Sequence, residues 1–123
     1  MRFLMLYKPA DVAKMEAGVP PSPEEMARMG KLVEEQMRAG HLLATEGCGP
    51  TSKGAKVQLA NGKLKVVDGP FTEAKEIIGG LAIMRASSKQ EAIQQARDFL
   101  EFAGDGEVEV RELYDPQNCM PKV

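Results

Sequence analysis

The chain has 123 residues, 43% hydrophobic and 28% charged, with 16 basic and 18 acidic side chains and a formal net charge of -2. That length suits one domain, 1–123, with a core of its own, and the composition excludes disorder of the whole chain. No stretch is dominated by Lys and Arg, so the basic stripe that nucleic-acid binding needs is missing. No segment approaches ~18 consecutive apolar residues, which argues against a membrane span. The apolar start, Phe3 to Tyr7, is too short for a signal peptide, so the cytoplasm is expected. Cys48 and Cys119 form no CxxC pair, so neither a zinc nor a redox motif is present.

Phe3 to Tyr7 is apolar at every position, which predicts a strand covered on both faces. Lys8-Pro9 ends it, because proline cannot donate to a ladder. Asp11 to Pro21 reads as a loop with a helical turn near Ala13 to Glu16. Ser22-Pro23-Glu24-Glu25 is a helix start: Ser22 caps, Pro23 fits the first helical position and Glu25 completes a capping box. Met26, Met29, Leu32, Val33 and Met37 form one apolar stripe, with the methionines expected as core filler. Gly40 stands where a helix ends.

His41 to Thr45 begins a second strand, broken at Gly47-Cys48-Gly49-Pro50. Lys56 to Ala60 and Lys63 to Val67 flank Asn61-Gly62, a strong hairpin signal because both turn residues tolerate positive φ. Asp68-Gly69-Pro70-Phe71 closes the hairpin, and Thr72 to Glu76 suits one helical turn. Leu81 to Met84 is a central-strand run. Ser88 to Glu91 repeats the capping box, and Ala92, Ile93, Ala96, Phe99, Leu100 and Ala103 form a second helical stripe before Gly104. Glu107 to Arg111 alternates with a period of two, as a half-buried strand does. The tail from Asp115 to Val123 carries two prolines and is expected on the surface.

The order β-α-β, hairpin, β-α-β closes most simply as a four-stranded antiparallel sheet with two helices on one face and an inserted hairpin. Two helices cover one face only, yet the first and central strands are apolar on both. A homodimer, packed sheet on sheet or joined at its edges into a shared barrel, is therefore expected, the alternative being that the inserted hairpin folds back over that face.

The residues best placed for chemistry are Asp68-Gly69-Pro70-Phe71 and the charged run behind them. VVDGPFTEAKEIIGG resembles the signature of the DGPF subgroup of the YCII-related family. The opening FLMLYK strand, Met-rich helix, NG hairpin and closing VEVREL strand extend the likeness over nearly the whole chain. The resemblance implies a ferredoxin-like βαββαβ fold and a dimeric α+β barrel. It also implies a His–Asp pair in some members, with Asp68 matching the aspartate. The matching histidine would fall near Met26 or Met29, whereas this chain's one histidine is His41.

Read by itself, Asp68 ends an extended segment where a carboxylate can act as a general base or bind a cation. Asp before Gly-Pro is equally a common turn device. Phe71 can anchor the loop, and Glu73, Lys75 and Glu76 crowd charge around it. Glu46 and Tyr7 complete the expected substrate-binding set at neighbouring strand ends. His41 suits a helix C-terminal cap. No metal-ligand cluster and no nucleotide motif is evident, so no cofactor is expected. Two functions fit: a cofactor-independent enzyme on a small molecule with Asp68 moving the proton, or a non-catalytic module that senses a ligand or docks on a protein.

Overall fold

In the computed structural model, residues 1–115 are described. Among these described residues, six strands and three helices run in the order β1 (Arg2–Pro9), α1 (Val12–Glu16), α2 (Pro23–Arg38), β2 (Leu42–Gly47), β3 (Ala55–Ala60), β4 (Lys63–Asp68), β5 (Gly80–Arg85), α3 (Lys89–Ala103) and β6 (Gly106–Glu112). Short 3-10 turns sit at Thr51–Lys53 and Ala74–Glu76. The expected tail and Cys119 lie almost wholly outside the described residues.

Local chemistry sets the element ends. The Ser22 hydroxyl accepts the Glu25 N–H at 3.1 Å, and Ser88 does the same for Glu91 at 3.1 Å. Both bonds satisfy a donor that the first helical turn leaves without a partner. Asp11 caps α1 by accepting the Lys14 N–H at 3.0 Å. Asn61 and Gly62 take φ of 53° and 77°, the left-handed pair that a tight hairpin requires.

The main sheet has the strand order β2-β5-β1-β6, with every pair antiparallel. This mixed α+β arrangement is compatible with a ferredoxin-like fold. β3 and β4 form a separate two-stranded sheet. Phe3 pairs with Met84 and Met5 with Ala82, so these four share the face that meets the helices. Leu4, Leu6, Leu81 and Ile83 share the opposite face and stay part-buried.

The core is Phe3, Met5, Leu42, Met84 and Ala86 closed by Ala92 and Ala96 of α3. Alanines at the contact let α3 approach the sheet closely. The second helix behaves differently. No residue of α2 is buried, and Met26 is 60% and Met37 46% exposed. The expectation that its methionines fill the core is corrected: α2 meets the edge strand β2 and stands off the rest of the sheet. No helix among the described residues is long and apolar enough to cross a membrane.

Because Ala92 is fully buried, Ala92→Leu should force α3 away from β1. Chemical denaturation should show a loss of about 1–3 kcal/mol.

Candidate functional site

The gap beneath α2 is a cleft of about 1290 Å³. Its floor is Met5 and Tyr7 of β1, Ala82 and Met84 of β5 and Val108 of β6. Its roof is Met26, Met29, Leu32 and Val33 of α2, with Phe99 and Phe102 of α3 beside them. The Arg28 guanidinium lies 4.7 Å from the Phe102 ring centroid and ties the two helices across the cleft.

Polar groups gather where β2 begins and β5 ends. His41 follows α2, and its carbonyl accepts the Arg85 N–H at 2.7 Å. Glu91 and Gln95, in the first half of α3, border the same end. The Glu91 carboxyl is held below its ordinary value, first by hydrogen bonding to Ser87 and then by the nearby charges of His41 and the amino terminus. The Gln95 amide N–H donates to the Arg85 carbonyl at 3.0 Å. That bond orients the amide and leaves Oε1 buried with no hydrogen-bond partner. A buried acceptor without a donor costs about 1–3 kcal/mol.

Tyr7, Glu46 and Gly47 border the opposite end, beside Gly79 and Gly80. The Tyr7 ring meets Phe99 edge-on at 5.3 Å, and its hydroxyl donates to the Asp105 carbonyl at 3.4 Å. Burial, and then the Asp105 charge, raises the phenol above its ordinary value of 10.0. A Cβ on Gly106 would come within 2.9 Å of this ring, so glycine there makes room for it.

Of the site residues expected from the sequence, the structure brings Tyr7 and Glu46 to this cleft and leaves Asp68, Phe71, Glu73 and Lys75 outside its lining. Asp68 is exposed and pairs with Ala55 at the base of the hairpin. Phe71 is part-buried beneath Lys56, whose Nζ is 4.6 Å from the ring centroid and 2.9 Å from Glu76. Glu73 and Lys75 pair with each other at 3.0 Å. Met26 and Met29, where the resemblance would set a histidine, do border the cleft.

The turn after Asp68 is fastened to the body through Thr51. The Thr51 backbone N–H donates to Glu16 at 3.0 Å, and its hydroxyl donates to the same carboxylate. That hydroxyl also accepts the Phe71 N–H at 2.9 Å. Gly69 donates to the Gly54 carbonyl at 3.0 Å and passes so near Thr51 that a Cβ would lie 1.7 Å from its carbonyl oxygen. The Gly69–Pro70 peptide bond is cis.

The sequence did not single out Glu91 or Gln95. The available signal was a glutamine beside the buried Ala92 and Ala96 stripe, where a polar side chain stands at the margin of the apolar face. Among the described residues, no three of His, Cys, Asp and Glu converge as metal ligands do.

Gly69→Ala should separate the turn from Thr51 and lower stability by about 1–3 kcal/mol in denaturant titration. It should leave cleft binding within a few-fold of the native chain.

The YCII-related domain model matches residues 1–116. An uncharacterised protein of Rhizobium meliloti, R00369, is 31% identical over 94 residues, covering 74% of this chain and 76% of that protein. By the extent of the domain match, the chain belongs to the YCII-related family.

Proposed function

We propose that this chain is a cytoplasmic, homodimeric small-molecule-binding protein that holds its ligand in the cleft between α2, α3 and the sheet. The observation that carries this reading is the cleft itself: about 1290 Å³, apolar along floor and roof, with polar residues at both ends. Small-molecule pockets run to roughly 300–1,000 Å³ with few polar groups among apolar walls, so this cleft has more than enough room for a metabolite. The aromatic rings on the cleft wall support a ligand with an apolar or aromatic body. Phe99 and Phe102 suit the body, and Tyr7 and Glu46 bound its far end.

Asp68 lies outside the cleft wall, so within one chain this reading is of binding. A proton-transfer role for Asp68 belongs to an assembly that brings a second surface up to it. The exposed Met26 and Met37 favour a second reading, a sensing or docking module that uses the methionine stripe of α2. Ligand stabilisation without product for every bound compound is the mark of that module.

The dimer part of the reading rests on the sheet face opposite the helices. Leu4, Leu6, Leu81 and Ile83 adjoin there across paired strands, and no helix among the described residues covers them. A contiguous apolar patch of a few hundred Å² marks an association surface.

Calorimetry with a panel of small aryl compounds should detect binding to the native chain. Ala82→Phe fills the floor and should abolish binding in a folded protein; undiminished affinity in that variant would remove the cleft as the site.

Native sedimentation should give twice the mass of one chain at micromolar concentration, and Leu6→Glu should return it to one chain. A native protein that sediments as one chain would remove the dimer.

A further inference from the structure

We infer that the first half of α2 is a lid over the cleft, turning at Gly30 and fastened by Arg28 on Phe102. It rests on the binding reading above: the lid is how a ligand enters the cleft and is kept there.

Burial along α2 changes in one step. Every residue from 23 to 30 is exposed, whereas Leu32, Val33 and Gln36 beyond it are part-buried. Val33 packs against the core, and the end of the helix is anchored. The His41 N–H donates to the Gln36 carbonyl at 3.1 Å, and the His41 carbonyl accepts the Arg85 N–H at 2.7 Å. Leu42 follows, buried in the core. The other end has no such anchor. Among the described residues, the hydrogen bonds around the Ser22 cap are local, from Glu25 and Met26 to Ser22 and from Gly18 to Met15. The second half of α2 thus belongs to the body, and the first half projects over the cleft.

Gly30 stands at that boundary. It lies inside the helix, where no turn calls for glycine, and a Cβ there would meet nothing within 4 Å, so no close packing calls for it either. Glycine in a helix interior lowers the cost of bending there. The hinge of a lid is commonly a few small residues that absorb the backbone change.

The inner side of the projecting half suits closure. Met26 and Met29 line the cleft and are 60% and 37% exposed. The floor opposite them offers Met5, Ala82 and Val108. Closed onto an apolar ligand, the two methionines would leave water, and their flexible thioether chains adapt to varied shapes. At about 1290 Å³ the cleft is larger than a usual ligand pocket, so a wall that moves inward is what would enclose a ligand there.

One tie holds the projecting half. The Arg28 guanidinium lies 4.7 Å from the Phe102 ring centroid. Among the described residues, no hydrogen bond or ion pair joins residues 23 to 30 to α3 or the sheet. A cation resting on a ring where water reaches it is a weak contact, as a catch that opens must be.

Hydrogen exchange on the full chain tests the lid without a ligand. Amides from 27 to 30 should exchange about 10-fold or more faster than those from 33 to 38. Gly30→Ala should narrow that difference, and Arg28→Ala should widen it. Stopped-flow fluorescence with anilinonaphthalene sulfonate as the probe then separates a lid from a helix end that merely frays. Gly30→Ala should slow both binding and release about 3-fold or more, and Arg28→Ala should speed both. Even exchange along the whole of α2 would overturn the hinge. Rates unchanged in both variants would reduce the uneven exchange to fraying and overturn the lid, leaving the binding reading in place. Probe binding undiminished in Ala82→Phe would remove the binding reading instead, and with it the lid as a gate for ligands.

Discussion

Ala92 and Ala96 close α3 onto Phe3 and Met5, and much of the architecture follows from that one tight contact. Small residues at the crossing bring the helix down on the centre of the sheet. Nothing comparable draws α2 down. Its stripe, mostly methionine, packs Val33 against the core but otherwise faces the sheet across a gap and meets it chiefly at the edge strand. The cleft is the space between one helix that packs and one that does not. The same asymmetry exposes methionines that ordinary packing would have buried.

The hairpin obeys a different constraint. Its turn is held by Asn61-Gly62 and its base by the approach of Gly69 to Thr51. Glu16, Thr51 and Phe71 are joined there through one hydroxyl and one carboxylate. A charged motif that looks chemical in the sequence is, within one chain, a joint between the hairpin and the body. Its outer face carries four exposed apolar side chains, with Asp68 in line with them. Cleft and hairpin lie on separate surfaces.

Much of the fold was legible because its signals are local. Ser22 and Ser88 cap as their positions foretold, Asn61-Gly62 turns the hairpin, and Leu81 to Met84 lies in a central strand. Apolar residues at every position of Phe3 to Tyr7 marked a strand with two faces to cover. The candidate site was legible only in part. Tyr7 and Glu46 border the cleft, but the residues after Asp68 do not. Hydrophobic periodicity says which side of α2 faces inward. It does not say how far inward that side comes.

The sequence by itself determined the elements, their caps, the hairpin and the alternation that sorts each strand into two faces. Each depends on residues within a few positions of one another, where dihedral preference and a single hydrogen bond decide the outcome. Tertiary structure alone decided that His41, Glu91 and Gln95 meet at one end of a cleft, and that Asp68 stands apart from it. The separation of two packed elements is set jointly by the side chains on both and by the loops that tether them. No stretch of the chain carries that distance on its own.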